Sequence, residues 1–209
     1  MLLRALFNRA RRLLARWLLH RAVFGERSHG QSLPHTRISP SCCIEHPEQL
    51  RLADHVYIGP YNLLEASGGI TLGEGVQITS HCAVLTHSSH RAIRLLGRAY
   101  AGGTRPRPGW IEGEVVIGPY SFVGPHSVIE AGTWLGRGTL VCAGSVVRGR
   151  FPDFAVLRGD PAQVVGDTRQ ADEALLAQHP QARAHYEAWA HEDSPPGQGG
   201  PAGGEGPAS

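Results

Sequence analysis

From Val116 onward the polar and apolar positions repeat in sixes: VIGPYS, FVGPHS, VIEAGT, WLGRGT, LVCAGS and VVRG. The second residue is always aliphatic, giving the column Ile117, Val123, Ile129, Leu135, Val141 and Val147, and the sixth is always Ser or Thr. A period of six matches neither the 3.6-residue stripe of a helix nor the alternation of a half-buried strand. It predicts a parallel β-helix. Each hexad forms one flat face of a triangular coil, and three hexads complete a turn, so residues eighteen apart lie above one another. One inward aliphatic per face builds a continuous apolar column. Each coil hydrogen-bonds to the next at a spacing of about 4.8 Å, and small sixth residues suit the tight corners.

Followed backwards, the column continues through Val84, Ile78, Leu72, Leu64, Ile58 and Leu52, so the repeat domain is expected over residues 50–167. Two irregularities interrupt it. The step from Leu64 to Leu72 is eight, and the two extra residues arrive as the turn-forming pair Gly68-Gly69. The step from Val84 to Ile117 is thirty-three, which inserts twenty-seven residues and predicts a long loop over 85–110. An excursion of that length from a regular coil points to function.

The flanks follow other patterns. Leu3, Leu6, Phe7, Ala10, Leu13, Leu14, Trp17 and Leu18 recur at helical spacing, with Arg4, Arg9, Arg11, Arg12 and Arg16 between them and no acid. Residues 1–24 therefore read as a basic amphipathic helix. Arginines break its apolar stretches too often for a signal peptide or a membrane span. Two partners fit it: an anionic membrane surface, or the repeat domain and its oligomeric neighbours. Residues 25–49 read as a linker. Residues 168–192 are rich in Ala, Leu, Gln and Glu with Pro180 in the middle, which predicts two short helices. Residues 193–209 are largely Pro, Gly and Ser, the composition of a disordered tail.

Composition narrows the chemistry. All twenty basic residues of the 209-residue chain are arginine, so no lysine base or Schiff base is available. Cys42, Cys43, Cys82 and Cys142 lack C-x-x-C spacing and suggest no disulfide framework. A reducing cytosol fits them, with a peripheral position on the inner membrane face if the first helix binds lipid. Cys82 and Cys142 fall within hexads, as small apolar side chains. A nucleic-acid partner is not expected.

With these residues in view, the chain resembles the left-handed β-helix acyltransferases of the hexapeptide-repeat class. The resemblance rests on the hexads, on V-L-T-H-S-S-H from Val84 to His90, on A-G-S-V-V from Ala143 and on R-G-D-P-A-Q-V-V-G from Arg158. The polysaccharide and lipopolysaccharide O-acetyltransferases look most similar. The resemblance implies an all-β core, a left-handed parallel β-helix with helical appendages, and a homotrimer with active sites in the clefts between subunits. It implies acetyl-CoA or another acyl-CoA as co-substrate, a hydroxyl of a sugar or glycan precursor as acceptor, and no metal.

Acyl transfer to a hydroxyl needs a base that titrates near neutrality, ordinarily histidine. By the family's T-H motif that base is His87, with His90 as its competitor or as a substrate contact. Stacking puts Leu64, Val84 and Ile129 on one face, so Glu65, His87 and Glu130 share an edge. Either carboxylate is a candidate for orienting the imidazole. Asn62, by analogy with the relatives, is a candidate acceptor ligand. Ala143 and Gly144 match the element that lies along the pantetheine arm of coenzyme A, and Arg148 and Arg158, with Arg150 and Arg169 nearby, are candidates for its phosphates. Asp160 and Gln163 depart from the usual G-N-P-A-K closure, which leaves the nucleotide end to other residues. The insertion adds Arg91, Arg94, Arg98, Arg105 and Arg107, either as a cover for an anionic substrate or as a solvated basic loop. Two rival readings remain: a zinc site held between subunits, of the gamma-carbonic-anhydrase kind, with His81, His87 and His126 as the available trio, and a noncatalytic β-helix scaffold.

Overall fold

The computed structural model describes residues 2–19, 23–103 and 107–191. The expected tail over 193–209 and Arg105 lie outside them.

The repeat folds as three parallel sheets wrapped about one apolar axis. Ile38, Ile58, Ile78, Val123, Val141 and Leu157 follow one another up the first face. Ile44, Leu64, Val84, Ile129 and Val147 climb the second. Leu52, Leu72, Ile117, Leu135 and Phe151 climb the third. From Ile58 to Leu157 these inward residues, apart from Phe151, are essentially inaccessible and form a single cluster. Their neighbours along each short strand point outward, as Gln77 and Phe122 do beside Ile78 and Val123.

The sixth residues of the hexads do more than fit a corner. Ser121, Ser127, Thr133, Thr139 and Ser145 are almost completely buried. Their hydroxyls donate to corner carbonyls, Ser121 to Gly136 at 3.0 Å and Ser145 to Cys142 at 2.7 Å. A hydroxyl is the smallest side chain that closes the corner and also satisfies a carbonyl turned away from the ladder.

Two features differ from the sequence reading. The stretch 25–49, read as a linker, contains a hairpin of Val23–Ser28 and Gln31–Ile38, then the first coil through Ile44. Its single apolar residue per face, flanked by Thr, Arg and Cys, gave a weak periodic signal. The coil step also changes along the axis. It is twenty before the insertion, as in Ile38, Ile58, Ile78 and Ile44, Leu64, Val84, and eighteen after it, as in Val123, Val141 and Ile129, Val147. The two extra residues per early coil sit at the corner between the second and third faces.

An antiparallel hairpin closes each end of the first face, Val23–Ser28 below and Ala162–Asp167 above. Helix α1 (Leu2–Leu19) precedes the lower hairpin. The insertion leaves after Leu85, forms helix α2 (His90–Leu96), and rejoins at Val115. The chain divides into two units at Ala171/Asp172. Helix α3 (Thr168–Gln178) runs through that boundary, and the second unit also holds α4 (Arg183–Ala190), with Pro180 in the turn between them. Within it Arg183 bridges Glu173 at 2.7 Å and Glu187 at 3.8 Å. No described helix is long and apolar enough to cross a membrane.

Ile78→Ala removes a fully buried column residue and is expected to cost about 2–5 kcal/mol, whereas Gln77→Ala beside it should stay within about 0.5 kcal/mol. Denaturant unfolding of the two variants measures the difference.

Candidate functional site

The insertion opens where the second face ends, and its first strand places an imidazole. His87–Ser88 pairs antiparallel with Ile111–Glu112, so the arm departs and returns as a two-stranded ribbon. The ribbon is tied to the coil where the Gly113 amide donates to the Thr86 carbonyl at 2.9 Å. Gly113 has no alternative here, because a Cβ would lie 2.8 Å from the Gly132 nitrogen.

Directly below, in the preceding coil, Glu65 pairs with Leu85 across the parallel ladder. Its side chain is turned under the arm and is nearly buried. The carboxylate meets His87 Nδ1 at 2.7 Å. The Ser67 amide donates to Oε1 at 2.9 Å, and the Thr86 amide donates to Oε2 at 3.2 Å. Thr86 Oγ1 lies 2.9 Å from both Oε2 and the Glu65 carbonyl, and itself accepts from the Gly68 amide at 2.8 Å. Ser67 Oγ is also 3.1 Å from His87 Nδ1. Burial alone pushes the Glu65 carboxyl up, but hydrogen bonds from Ser67, Thr86 and His87 outweigh it and lower its pKa from 4.5 to about 2. Glu65 is therefore an anion at any working pH.

The other side of the imidazole is covered by Trp110, whose ring stacks on it at 4.7 Å and 9°. The ring is thus held by an anion at Nδ1 and by an indole face. With Nδ1–H donating to Glu65, Nε2 carries the free lone pair. His87 borders a pocket of about 120 Å³ whose other walls include Leu85, His90, Ile111, Glu130 and Arg148.

Several sequence expectations meet here. His87, His90, Glu130 and Arg148 line one pocket, with Glu65 behind His87. The two carboxylates divide their roles, since Glu130 accepts from Arg148 Nε at 2.6 Å while Glu65 takes the imidazole. His90 begins α2 and its Nδ1 lies 2.7 Å from Ser88 Oγ. Arg91 is exposed on α2 and is not part of the pocket wall.

Asn62 is a correction. It is 2 % exposed, its amide donates to the Gly59 and Thr79 carbonyls at 2.9 and 2.8 Å, and its oxygen accepts from the Cys82 amide at 2.7 Å. It occupies the corner position that Ser127 and Ser145 fill higher up and clamps that corner, with no proton left for an acceptor. Ala143 and Gly144 lie at the corner between the first and second faces, one face away from His87, and Arg158 lies in the upper hairpin. Arg107 serves the arm itself, donating to the Gly103 carbonyl at 3.0 Å and stacking over Tyr100 at 4.3 Å.

Within one chain the three histidines of the zinc reading do not come together. His81 and His126 stack on each other at 5.0 Å in the corner below Gly144, while His87 is committed to Glu65 at the far end of the face. Among the described residues, the one cluster with metal-ligand chemistry is His35, Asp54 and His55. Its two imidazoles stack nearly parallel at 4.5 Å and 4°, so their in-plane lone pairs do not converge on one point.

Residues 114–149 match the family model described as bacterial transferase hexapeptide (six repeats). That stretch is built of hexapeptide repeats. The chain is 30% identical over 141 residues to a probable acetyltransferase of Mycobacterium tuberculosis, covering 66% of this chain and 44% of that one. It is 28% identical over 114 residues to an Escherichia coli protein provisionally named a lipopolysaccharide biosynthesis O-acetyl transferase, covering 54% and 58%. The chain thus spans about half the length of these relatives. In fold it is similar to the hexapeptide-repeat acetyltransferase of Vibrio cholerae solved with acetyl coenzyme A, at a TM-score of 0.52 and 22% identity over 77% of each chain.

Three residues of this site escaped the sequence reading. Ser67 sits in the widened corner that the Gly68-Gly69 pair announced, Thr86 precedes His87, and Trp110 closes the inserted loop. Thr86 had a signal in its adjacency to His87. Ser67 and Trp110 had none, because their contacts arise only once the coils stack and the arm folds back.

Thr86→Val strips the Gly68 amide and Glu65 of a buried partner, so a loss of about 1–3 kcal/mol is expected in denaturant unfolding. The Glu65 network stabilises the fold fully above pH 4.5, and its contribution disappears as pH falls from there toward 2. Unfolding free energies across that window should therefore fall more steeply for the native chain than for Glu65→Gln. Parallel slopes would show that the carboxylate is not held as described.

Proposed function

We propose that the chain is a coenzyme A-dependent acyltransferase, most simply an O-acetyltransferase acting on a hydroxyl of a sugar or glycan precursor. The observation that carries this reading is the 2.7 Å contact between His87 Nδ1 and the buried Glu65 carboxylate at the edge of a pocket. It leaves Nε2 as a base facing the space where an acceptor would sit. The similarity to named acetyltransferases supports the donor, and the transferase repeat supports the left-handed sense of the coil.

In this mechanism Nε2 takes the acceptor proton as the hydroxyl oxygen attacks the thioester carbonyl. The tetrahedral intermediate then expels the coenzyme A thiolate, and the imidazolium returns its proton to the sulfur. Glu65 fixes the tautomer and stabilises the transient imidazolium, as the carboxylate of a catalytic triad does. Trp110 keeps the ring from swinging out of line. His90 and Arg148 sit on the pocket wall, where one can contact the acceptor and the other the anionic donor.

A pocket of about 120 Å³ is too small for either substrate, since small-molecule sites run to about 300–1,000 Å³. The missing walls belong to a neighbouring subunit, and a threefold assembly supplies them. In it the corner carrying Ala143 and Gly144 on one subunit faces the His87 edge of the next, and the pantetheine arm runs between them. Arg158 then lies toward the nucleotide end.

His87→Ala is expected to lower kcat by about 10²–10⁴-fold, the usual contribution of a general base, with acetyl-CoA affinity retained. Glu65→Gln should lower kcat by about 10²-fold or more by releasing the tautomer. Coenzyme A release over a panel of acyl donors and glycan acceptors measures both. Near-native turnover by His87→Ala with an accessible acceptor would remove His87 from the chemistry and favour a scaffold.

A further inference from the structure

Helix α1 presents an apolar surface to solvent from Leu6 to Leu18. Leu6, Phe7, Leu13, Leu14 and Trp17 are 55–64 % exposed, and Leu18 is 49 % exposed. At 100° per residue these six side chains and Ala10 fall within an arc of about 140°. Arg4, Arg9, Arg11, Arg12 and Arg16 fall on the remaining arc, all of them exposed, and the helix contains no acidic residue. None of these arginines has an acidic partner among the described ion pairs, and Arg11 instead lies over the Phe7 ring at 5.7 Å.

Two independent features choose the occupant of this face. A protein groove would cover the apolar arc, but five solvent-facing arginines without one compensating acid would gain nothing from it. An anionic bilayer satisfies both at once: the leucines, Phe7 and Trp17 enter the acyl boundary, and the arginines flank them at headgroup level with their stems lying along the interface. The arginines interrupt the apolar residues too often for the helix to span, so it lies in the plane of the interface.

We propose that α1 is an interfacial anchor that holds this protein on an anionic membrane surface. Its cations raise the local concentration at lipid phosphates, and its apolar arc provides the insertion that resists salt. The anchor is independent of the acyl-transfer reading, and its test does not use activity.

The test is sedimentation of the full chain with phosphatidylcholine vesicles, with and without phosphatidylglycerol. Binding to the phosphatidylglycerol vesicles is expected to exceed binding to phosphatidylcholine alone by more than about tenfold. Replacing all five arginines with Gln should remove that preference. Phe7→Glu with Leu14→Glu should abolish binding while the five arginines remain. Thermal unfolding of the repeat should be unchanged in both variants, which separates loss of the anchor from loss of the fold. The proposal is overturned if the native chain stays in the supernatant with both vesicles, or if it binds both equally. It is also overturned if the Phe7→Glu, Leu14→Glu chain binds like the native one. A native chain that ignores vesicles and changes oligomeric state on those same substitutions would assign the face to a second copy of the chain.

Discussion

The backbone ladder between successive coils is the constraint on which the rest of the structure depends. It sets side chains of different coils at a fixed separation of about 4.8 Å. Glu65 lies beneath Leu85 because their strands pair in register, not because anything in the local sequence directs it there. Once the register is set, a carboxylate in one coil and an imidazole two residues beyond the matching position in the next are within hydrogen-bond reach. The apolar column enforces that register, since a slip of one residue would turn every inward aliphatic outward.

A buried carboxylate is costly unless its oxygens are satisfied. The widened corner solves this locally. Two extra residues per early coil make room for Ser67 and Gly68, and the amide of each is aimed inward, one at Glu65 and the other at Thr86 Oγ1. The coils after the insertion, with an eighteen-residue step, have no such corner. Glu130, which occupies the corresponding edge there, faces the pocket and pairs with Arg148 instead. Corner length therefore decides which of two carboxylates on the same edge becomes the partner of His87.

The coil and the insertion were legible in the sequence alone, because each is written as adherence to or departure from a six-residue period, whereas His87 was singled out by the T-H motif of the resemblance at the start of that insertion. Stacking arithmetic narrowed the orienting group to Glu65 or Glu130, and the structure separates them through corner length. Asn62 was misplaced because its coil position matched an expected acceptor ligand, whereas burial makes it a corner clamp like Ser127. The first coil was missed because Ile38 and Ile44 stand among polar neighbours. Trp110 was invisible because its stacking on His87 depends on the arm returning alongside its own start.

Nitrogen-15 NMR of histidine-labelled protein reports which imidazole nitrogen carries the proton and so tests most directly whether Glu65 sets up His87 as a base. The account predicts that the neutral His87 ring is protonated at Nδ1 and bare at Nε2, and that this preference weakens in Glu65→Gln. A native His87 ring protonated at Nε2 would contradict it.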